Sequence, residues 1–294
     1  MSQIVYLNGQ FLADSEARIS IHDRGFLYGD GLFDTMRAYE GIPFRIEDHI
    51  ERLRNSADCL GITIGAAPGE IKEIINELLA RNGLENAYLR ITVTRGIHSG
   101  DLSFDSAGPS TLLIVARPLT TPSEADYERG VSAALVQGCG NPAPIARHKT
   151  ISYLPYLIAR ELAAKSGARE AILVDDDGMI LESSTGNVFI VLGEEIVTPP
   201  VIAGILPGIA RKTVLELAPS IGIKAKEDTV AVKDLASASE AFVTNSIVEI
   251  LPITHIDGKG LGDNAGEVTR RISRAYKEEV KKYIKGICLK IQNM

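Results

Sequence analysis

The chain opens with an apolar run, Ile4 to Leu7, that breaks at Asn8-Gly9 and resumes at Phe11. Asn-Gly supplies the positive φ angles a tight two-residue turn needs, so the pattern predicts a β-hairpin. After the glycine-rich Tyr28-Gly29-Asp30-Gly31, the stretch Leu32 to Tyr39 reads as a strand that turns at Glu40-Gly41. Ile46, Ile50, Leu53, Ala57 and Leu60 then recur at the spacing of one helix face, ending at Gly61. A second helix is predicted from about Pro68 to Arg81, stopping before Asn82-Gly83, and two apolar strands follow at Ala87 to Thr94 and Thr111 to Ala116.

The segment Pro118 to Asp126 is polar and punctuated by prolines, as a connection over the surface should be. It divides the sequence into a smaller domain at 1–117, a linker at 118–126 and a larger domain at 127–294. Within the larger domain the pattern predicts a strand at Val131 to Gln137, a loop from Gly138 to Lys149 and a helix from about Pro155 to Lys165. Pro155 is tolerated there because the first helical turn has no internal partner for its N–H groups. Strands at Ala171 to Val174, Met179 to Leu181 and Asn187 to Leu192 surround the turn Asp175-Asp176-Asp177-Gly178. A helix follows Pro207-Gly208, then strands at Ala241 to Thr244 and Val248 to Ile253, and an amphipathic helix from about Glu267 to Ile284. Mixed strands and helices in two blocks give an α+β class with two domains.

With 45% hydrophobic and 23% charged residues in 294, there is enough apolar surface for sizeable cores. The net charge of −7 disfavours partners that are themselves polyanions, so neither nucleic acid nor an anionic membrane surface is expected. Apolar runs such as Leu112 to Ala116 and Val188 to Leu192 fall far short of the roughly 20 residues a bilayer requires. The first residues show neither a basic nor a long apolar stretch, so no signal peptide is visible. Three widely spaced cysteines, Cys59, Cys139 and Cys288, fit reduced thiols, and the expected location is cytoplasmic. No zinc, metalloprotease or P-loop spacing occurs, the histidines are scattered, and no metal is expected. The glycines from Gly260 to Gly266 miss the dinucleotide fingerprint by one residue and read as a loop before the last helix.

The remaining chemistry is dispersed. Lys149, in Arg147-His148-Lys149-Thr150, closes a proline-broken loop just before a helix. It reads either as part of a solvated basic patch or as a rigidly held amine activated for Schiff-base chemistry. Tyr153, four residues on, suits the core or rim as well as a site. Glu182, at the end of the strand Met179 to Leu181, is an exposed hairpin charge or an acid able to hold a pyridine nitrogen. Gly208-Ile209-Ala210 opens a helix whose first N–H groups could cup a phosphate, or simply turns the chain. Arg52 lies beside the apolar stripe of the first long helix, where an arginine ordinarily snorkels to solvent.

Taken in order, however, these blocks resemble the class IV aminotransferases, the fold-type IV pyridoxal-phosphate family. The resemblance runs from Tyr6-Leu7-Asn8-Gly9 to Pro252-Ile253. It passes through Arg24-Gly25-Phe26-Leu27-Tyr28-Gly29-Asp30-Gly31-Leu32-Phe33, His49-Ile50-Glu51-Arg52-Leu53 and Lys149-Thr150-Ile151-Ser152-Tyr153-Leu154. It continues through Glu182-Ser183-Ser184-Thr185-Gly186-Asn187, Gly204-Ile205-Leu206-Pro207-Gly208-Ile209-Ala210-Arg211 and Thr244-Asn245-Ser246. It implies a smaller N-terminal α/β domain, a larger C-terminal domain with a pseudo-barrel core, pyridoxal 5'-phosphate between them, and a homodimer or larger oligomer built of dimers. Lys149 then resembles the lysine that forms the Schiff base and shuttles the proton at Cα. Tyr153 resembles the phenol on the cofactor oxyanion, and Glu182 the acid at the pyridine nitrogen. Arg52, the amides of Ile209 and Ala210, and Ser246 resemble the phosphate cup. The amides of the Ser246-Ile247 turn are expected to face the substrate α-carboxylate.

Within the family, branched-chain aminotransferases carry Tyr-Gly and Phe-Glu-Gly-x-Arg. Tyr28, Phe33 and Arg37 match, while Asp34 and Thr35 replace the Glu and Gly. Tyr88-Leu89-Arg90 is similar to their Tyr-x-Arg without its following proline. Ile91-Thr92-Val93-Thr94-Arg95-Gly96 is nearer to the aminodeoxychorismate lyase and D-amino-acid aminotransferase branches, although the Arg-x-His trap of the latter is absent. The expected activity is transfer of the α-amino group of leucine, isoleucine or valine to 2-oxoglutarate. Tyr28, Phe33 and Tyr88 would receive the side chain, and Arg37 or Arg90 the glutamate carboxylate. The alternatives are a lyase that eliminates pyruvate from aminodeoxychorismate, a D-amino-acid aminotransferase, and a non-catalytic carrier of the cofactor.

Overall fold

A turn of left-handed residues, Asn8 and Gly9, folds β1 (Ile4–Leu7) against β2 (Gln10–Ala13) as the dipeptide predicted. The computed structural model describes residues 3–98, 100, 103–104, 107–140 and 143–292. Parts of the loop after Thr94 and residues 141 and 142 of the Gly138–Lys149 loop therefore lie outside the described residues. The chain groups into two compact units. The first holds residues up to Thr120, the short segment His148–Tyr153 and the chain from Lys282 on; the second holds Thr121–Arg147 and Leu154–Lys281.

In the first unit, α1 (Arg24–Tyr28) precedes β3 (Gly31–Tyr39) and β4 (Ile42–Pro43). α2 (Ile46–Leu60) and α3 (Pro68–Asn82) are followed by β5 (Ala87–Thr94) and β6 (Thr111–Pro118). The strands form one antiparallel sheet in the order β2-β1-β6-β5-β3-β4. Because side chains alternate along a strand, one face carries Leu32, Met36, Leu89, Ile91, Leu112 and Ile114 into a core with Ile50, Leu53, Ile71, Ile75 and Leu78 of the two helices. The other face carries Phe33, Thr35 and Arg37 beside Thr92, Arg90 and Tyr88. The short α1 was not apparent in the hydrophobic pattern. Its N-cap is buried Asp23, which accepts bonds from Gly25 N, Thr94 Oγ1 and Thr111 Oγ1, a tertiary arrangement rather than a local one.

The second unit begins with α4 (Glu124–Arg129), capped by Ser123, so the polar segment expected to be a plain connection is helical at its end. β7 (Val131–Gln137) leads through the short α5 (Ala143–Ala146) to α6 (Leu154–Lys165). β8 (Glu170–Val174), β9 (Ile180–Ser183), β10 (Asn187–Leu192) and β11 (Glu195–Thr198) follow, then α7 (Ile209–Ser220) and β12 (Lys224–Glu227). β13 (Ala238–Asn245), β14 (Glu249–Ile256) and β15 (Lys259–Gly260) complete the sheet before α8 (Glu267–Gln292). The order is β12-β11-β10-β13-β14-β7-β8-β9, with β15 on β14. Pairing is antiparallel except at β11–β12, β14–β7 and β7–β8.

Only residues 184–186 separate β9 from β10, with Ser183 N bonded to Gly186 O, yet β9 is five strands removed from β10 in the order of pairing. The sheet must therefore curl until its β9 end returns beside β10, which makes the barrel-like core the resemblance implied. Val188, Ile190, Val243, Leu251, Ile253 and Ile172 fill it. The structure thus has the α+β class and the barrel-like core that were expected. β11 and β12 escaped the pattern because each is four residues long, and Lys224-Ala225-Lys226-Glu227 is a charged edge strand of the kind that resists further pairing. Among the described residues no helix is long and apolar enough to cross a membrane.

Candidate functional site

In the first unit, the segment after the proline-broken loop is laid along the start of β3. Phe33 N donates to Lys149 O at 2.8 Å, Ile151 N donates to Gly31 O at 3.0 Å, and Leu32 bridges Thr150. This close approach explains Gly29, whose φ is +69° and where a Cβ would stand 2.6 Å from Ser152 Oγ. The backbone of Lys149 is thereby fixed by a strand rather than left on a loose loop. Its Nζ lies 4.7 Å from the centre of the Phe33 ring, and Tyr153 meets the same ring edge-on at 5.7 Å. Arg90, opposite Thr35 on the neighbouring strand, stacks over Phe33 at 3.7 Å and donates from Nε to Thr92 Oγ1 at 3.2 Å. Three of the expected site residues, Lys149, Tyr153 and Arg90, so converge on the ring of a fourth, Phe33. Among the described residues no carboxylate pairs with Arg90, contrary to what a purely structural strand arginine would show.

Arg37 and Tyr88 are cross-strand partners on this face, Arg37 stacking on Tyr39 at 4.3 Å and Tyr88 lying under Arg117 at 4.1 Å. Tyr28 stands apart from them. It ends α1, is 51% exposed, and packs its ring against His98 and Arg24.

Asp34 points the opposite way, into the core face, where α2 presents His49 and Arg52 one turn apart. His49 Nδ1 is 2.7 Å from Asp34 Oδ1, and Arg52 donates from Nε to Oδ2 and from Nη2 to Oδ1, both at 2.9 Å. Arg52 does not snorkel to solvent: its side chain is 10% exposed and held by this fork. Burial would by itself raise the Asp34 pKa, but Arg52, His49 and Lys149 together outweigh it and bring it to about 2. Burial lowers the His49 pKa despite the facing Asp34, so at neutral pH the imidazole is uncharged and donates to the carboxylate. One turn further on, Ser56 Oγ meets His148 Nδ1 at 3.1 Å, tying α2 to the residue before Lys149.

In the second unit, Glu182 lies inside β9 and is 5% exposed, so it is no hairpin charge. Tyr156 donates its hydroxyl to Oε1 at 3.2 Å and Leu206 its amide to Oε2 at 3.1 Å. Tyr156 was missed in the sequence. It belongs to the buried stripe Tyr156, Ala159, Ala163 of α6, where a polar tip among small apolar neighbours was the available signal. Asn187 Nδ2 holds Leu206 O at 2.9 Å, and a Cβ on Gly208 would fall 2.0 Å from Asn187 Oδ1. Gly208 therefore allows the loop to reach the helix start. There Ile209 and Ala210 are buried and no side chain caps α7, so its first-turn N–H groups have no side-chain acceptor. On β13, directly opposite Asn187, Thr244 Oγ1 is buried with no hydrogen-bond partner among the described residues. A hydroxyl left in that state costs about 1–3 kcal/mol, which a polar ligand group would recover.

One expected feature differs. Ile247 N donates to Asn245 Oδ1 at 2.8 Å, and Val248 N to the same oxygen at 2.9 Å. An Asx turn thus takes the Ile247 amide that was assigned to the substrate carboxylate. Ser246 sits half-buried at the tip of that turn.

The amino-transferase class IV family model matches residues 31–256. The chain is 37% identical over 280 residues to a putative branched-chain-amino-acid aminotransferase of Methanocaldococcus jannaschii, covering 93% of this chain and 95% of that one. It is 32% identical to the aminodeoxychorismate lyase of Bacillus subtilis, over 96% of each. It is 31% identical to the D-alanine aminotransferase of Staphylococcus haemolyticus, over 94% of this chain and 97% of that one. Among solved structures, the branched-chain aminotransferase of Thermoproteus uzoniensis with norvaline superposes with a TM-score of 0.87 at 31% identity, covering 97% of this chain and 98% of that one. The branched-chain amino acid aminotransferase of T.th. with pyridoxamine 5'-phosphate gives 0.89 at 28% identity, covering 96% and 95%.

Proposed function

This chain belongs to the class IV aminotransferases, and from that premise we propose that it transfers the α-amino group of leucine, isoleucine or valine to 2-oxoglutarate with pyridoxal 5'-phosphate as cofactor. The observation that carries the substrate reading is Arg90. It is a half-buried guanidinium stacked on Phe33, with Tyr88 two residues away on the same face and no carboxylate paired to it among the described residues. Such a surface offers aromatic walls to a branched aliphatic side chain and a cation to the second carboxylate of glutamate. The Methanocaldococcus and Thermoproteus relatives support the same choice.

The residues present fit the cofactor. The uncapped start of α7, the unpartnered Thr244 hydroxyl and the space kept by Gly208 suit a phosphate, and the Lys149 amine suits an aldehyde. When bound, pyridoxal phosphate supplies the carbonyl for that amine and a conjugated ring that accepts the electron pair released at the substrate Cα. Lys149 then carries the proton at Cα from a backbone pinned to β3. Glu182, its carboxylate oriented by Tyr156 and Leu206, keeps the ring nitrogen protonated. Tyr153 donates its phenol to the cofactor oxyanion. Arg52, the amides of Ile209 and Ala210, and Ser246 hold the phosphate. The active protein is a cytoplasmic homodimer in this reading.

A second reading, aminodeoxychorismate lyase, draws on the Bacillus relative and on the motif Ile91-Thr92-Val93-Thr94-Arg95-Gly96. A panel of L- and D-amino acids with 2-oxoglutarate, run beside aminodeoxychorismate, separates the readings. Amino transfer from L-leucine, L-isoleucine and L-valine is expected. Turnover confined to aminodeoxychorismate, or to D-amino acids, would replace the branched-chain assignment.

A further inference from the structure

On the sheet face opposite Phe33, Arg52 is held by two groups, Asp34 and beyond it His49, that have no role in the chemistry described so far. Asp34 occupies a core-face position between Leu32 and Met36, and both it and His49 are 1% exposed at the side chain. A charge at this position is costly. Removing an ion from water is unfavourable even after relaxation, and an apolar replacement for a buried pair is often as stable or more so. Stability alone therefore gives little reason for Asp34, His49 and Arg52 to be there, and geometry gives a better one.

We propose that Asp34 and His49 are positioning residues: His49 fixes Asp34, and Asp34 fixes the guanidinium plane of Arg52 toward the phosphate. This rests on the reading of Arg52 as a phosphate ligand. The Nε and Nη2 bonds use both carboxylate oxygens, which sets the fork in one plane; a single bond would leave it free to swing. The imidazole bond to Oδ1 in turn stops the carboxylate rotating about its own χ2. Asp34 also cancels the formal charge of Arg52, so the pair offers the phosphate directed N–H donors more than net charge. Orientation is then what Asp34 contributes, and what its loss removes. The same helix ties down the residue before Lys149 through Ser56, so α2 carries both the phosphate arm and a brace for the amine.

The test compares pyridoxal 5'-phosphate with pyridoxal, titrated into the full chain stripped of cofactor; the ratio of their dissociation constants isolates what the phosphate contributes. In Asp34→Asn that ratio should fall about tenfold or more, while the affinity for pyridoxal stays within about twofold. Asp34→Glu, which restores the charge at a shifted position, should recover part of it. Because Asp34→Asn takes the carboxylate from a buried guanidinium, a change that can prevent folding, the His49 variants carry the same test. His49→Leu should lower the ratio several-fold, and His49→Asn, whose amide can occupy the Nδ1 position, should restore it. An unchanged or larger ratio in the folded Asp34→Asn or His49→Leu protein overturns the proposal, since release of the Arg52 charge would then outweigh its orientation. Equal weakening of both ligands marks a merely structural role and overturns it as well. If Arg52→Ala itself leaves the ratio unchanged, Arg52 is not a phosphate ligand, and it is the reading beneath the proposal that has failed.

Discussion

The two units bring their polar groups into place by different means. In the first, side chains do much of it: Lys149 and Arg90 rest on the Phe33 ring, and Arg52 is gripped by Asp34, which His49 holds in turn. In the second, backbone groups predominate: Leu206 N on Glu182, Leu206 O on Asn187, and the bare helix start after Gly208. A side-chain arrangement can be dismantled one residue at a time with the fold retained. Where a backbone group is one partner of each bond, only the other partner can be deleted, so the changes that damage such an arrangement most are those that move the chain.

The sharpest check on that contrast is Lys149→Ala. Turnover with every amino donor should fall by at least about 10⁴-fold while the melting temperature moves by no more than about 2 °C, because a half-buried polar lysine adds little to the core. A large drop in stability would place Lys149 among the structural groups. Gly208→Ala probes the other unit: with Asn187 Oδ1 only 2.0 Å from the new Cβ, either the loop shifts or the Asn187 amide swings off Leu206 O, at a cost of up to about 3 kcal/mol. Thermal melts with and without cofactor should show stability and cofactor binding lost together. Stability retained at wild-type level would break the comparison.

Asp34 predicts a dependence on acid. Its folded-state pKa is about 2 against an ordinary 3.8, so its carboxylate stabilises the fold above the ordinary value. That contribution, about 2 kcal/mol, is lost as pH falls through the window from about 4 to about 2. Urea unfolding followed across that window should show the slope in the wild-type protein and a flatter one in the fraction of Asp34→Asn recovered folded. The smallest effect is expected from Tyr156→Phe, which deletes one donor to Glu182 and leaves the Leu206 amide in place; about 1 kcal/mol of stability should go. A much larger loss would mean that the second unit leans on side chains as heavily as the first.

Most of the elements were written in local pattern. Asn8-Gly9, the stripe from Ile46 to Leu60 and the alternation along β3 each report their structure within a few residues, because turn dihedrals and helix or strand periodicity are short-range properties. The ordered motifs likewise identified the family from sequence, and singled out Lys149 and Glu182 as candidates for its chemistry. What the sequence left open was which groups meet. Nothing near Asp34 announces His49 and Arg52, which come from another element. Nor does anything near Glu182 announce Tyr156 and Leu206, which come from two others. The grouping of His148–Tyr153 with the first unit is likewise decided by backbone bonds to β3, a partner more than a hundred residues earlier. Hydrogen bonds and burial act over a few ångströms of space, and distance along the chain does not encode that space; only the folded arrangement does.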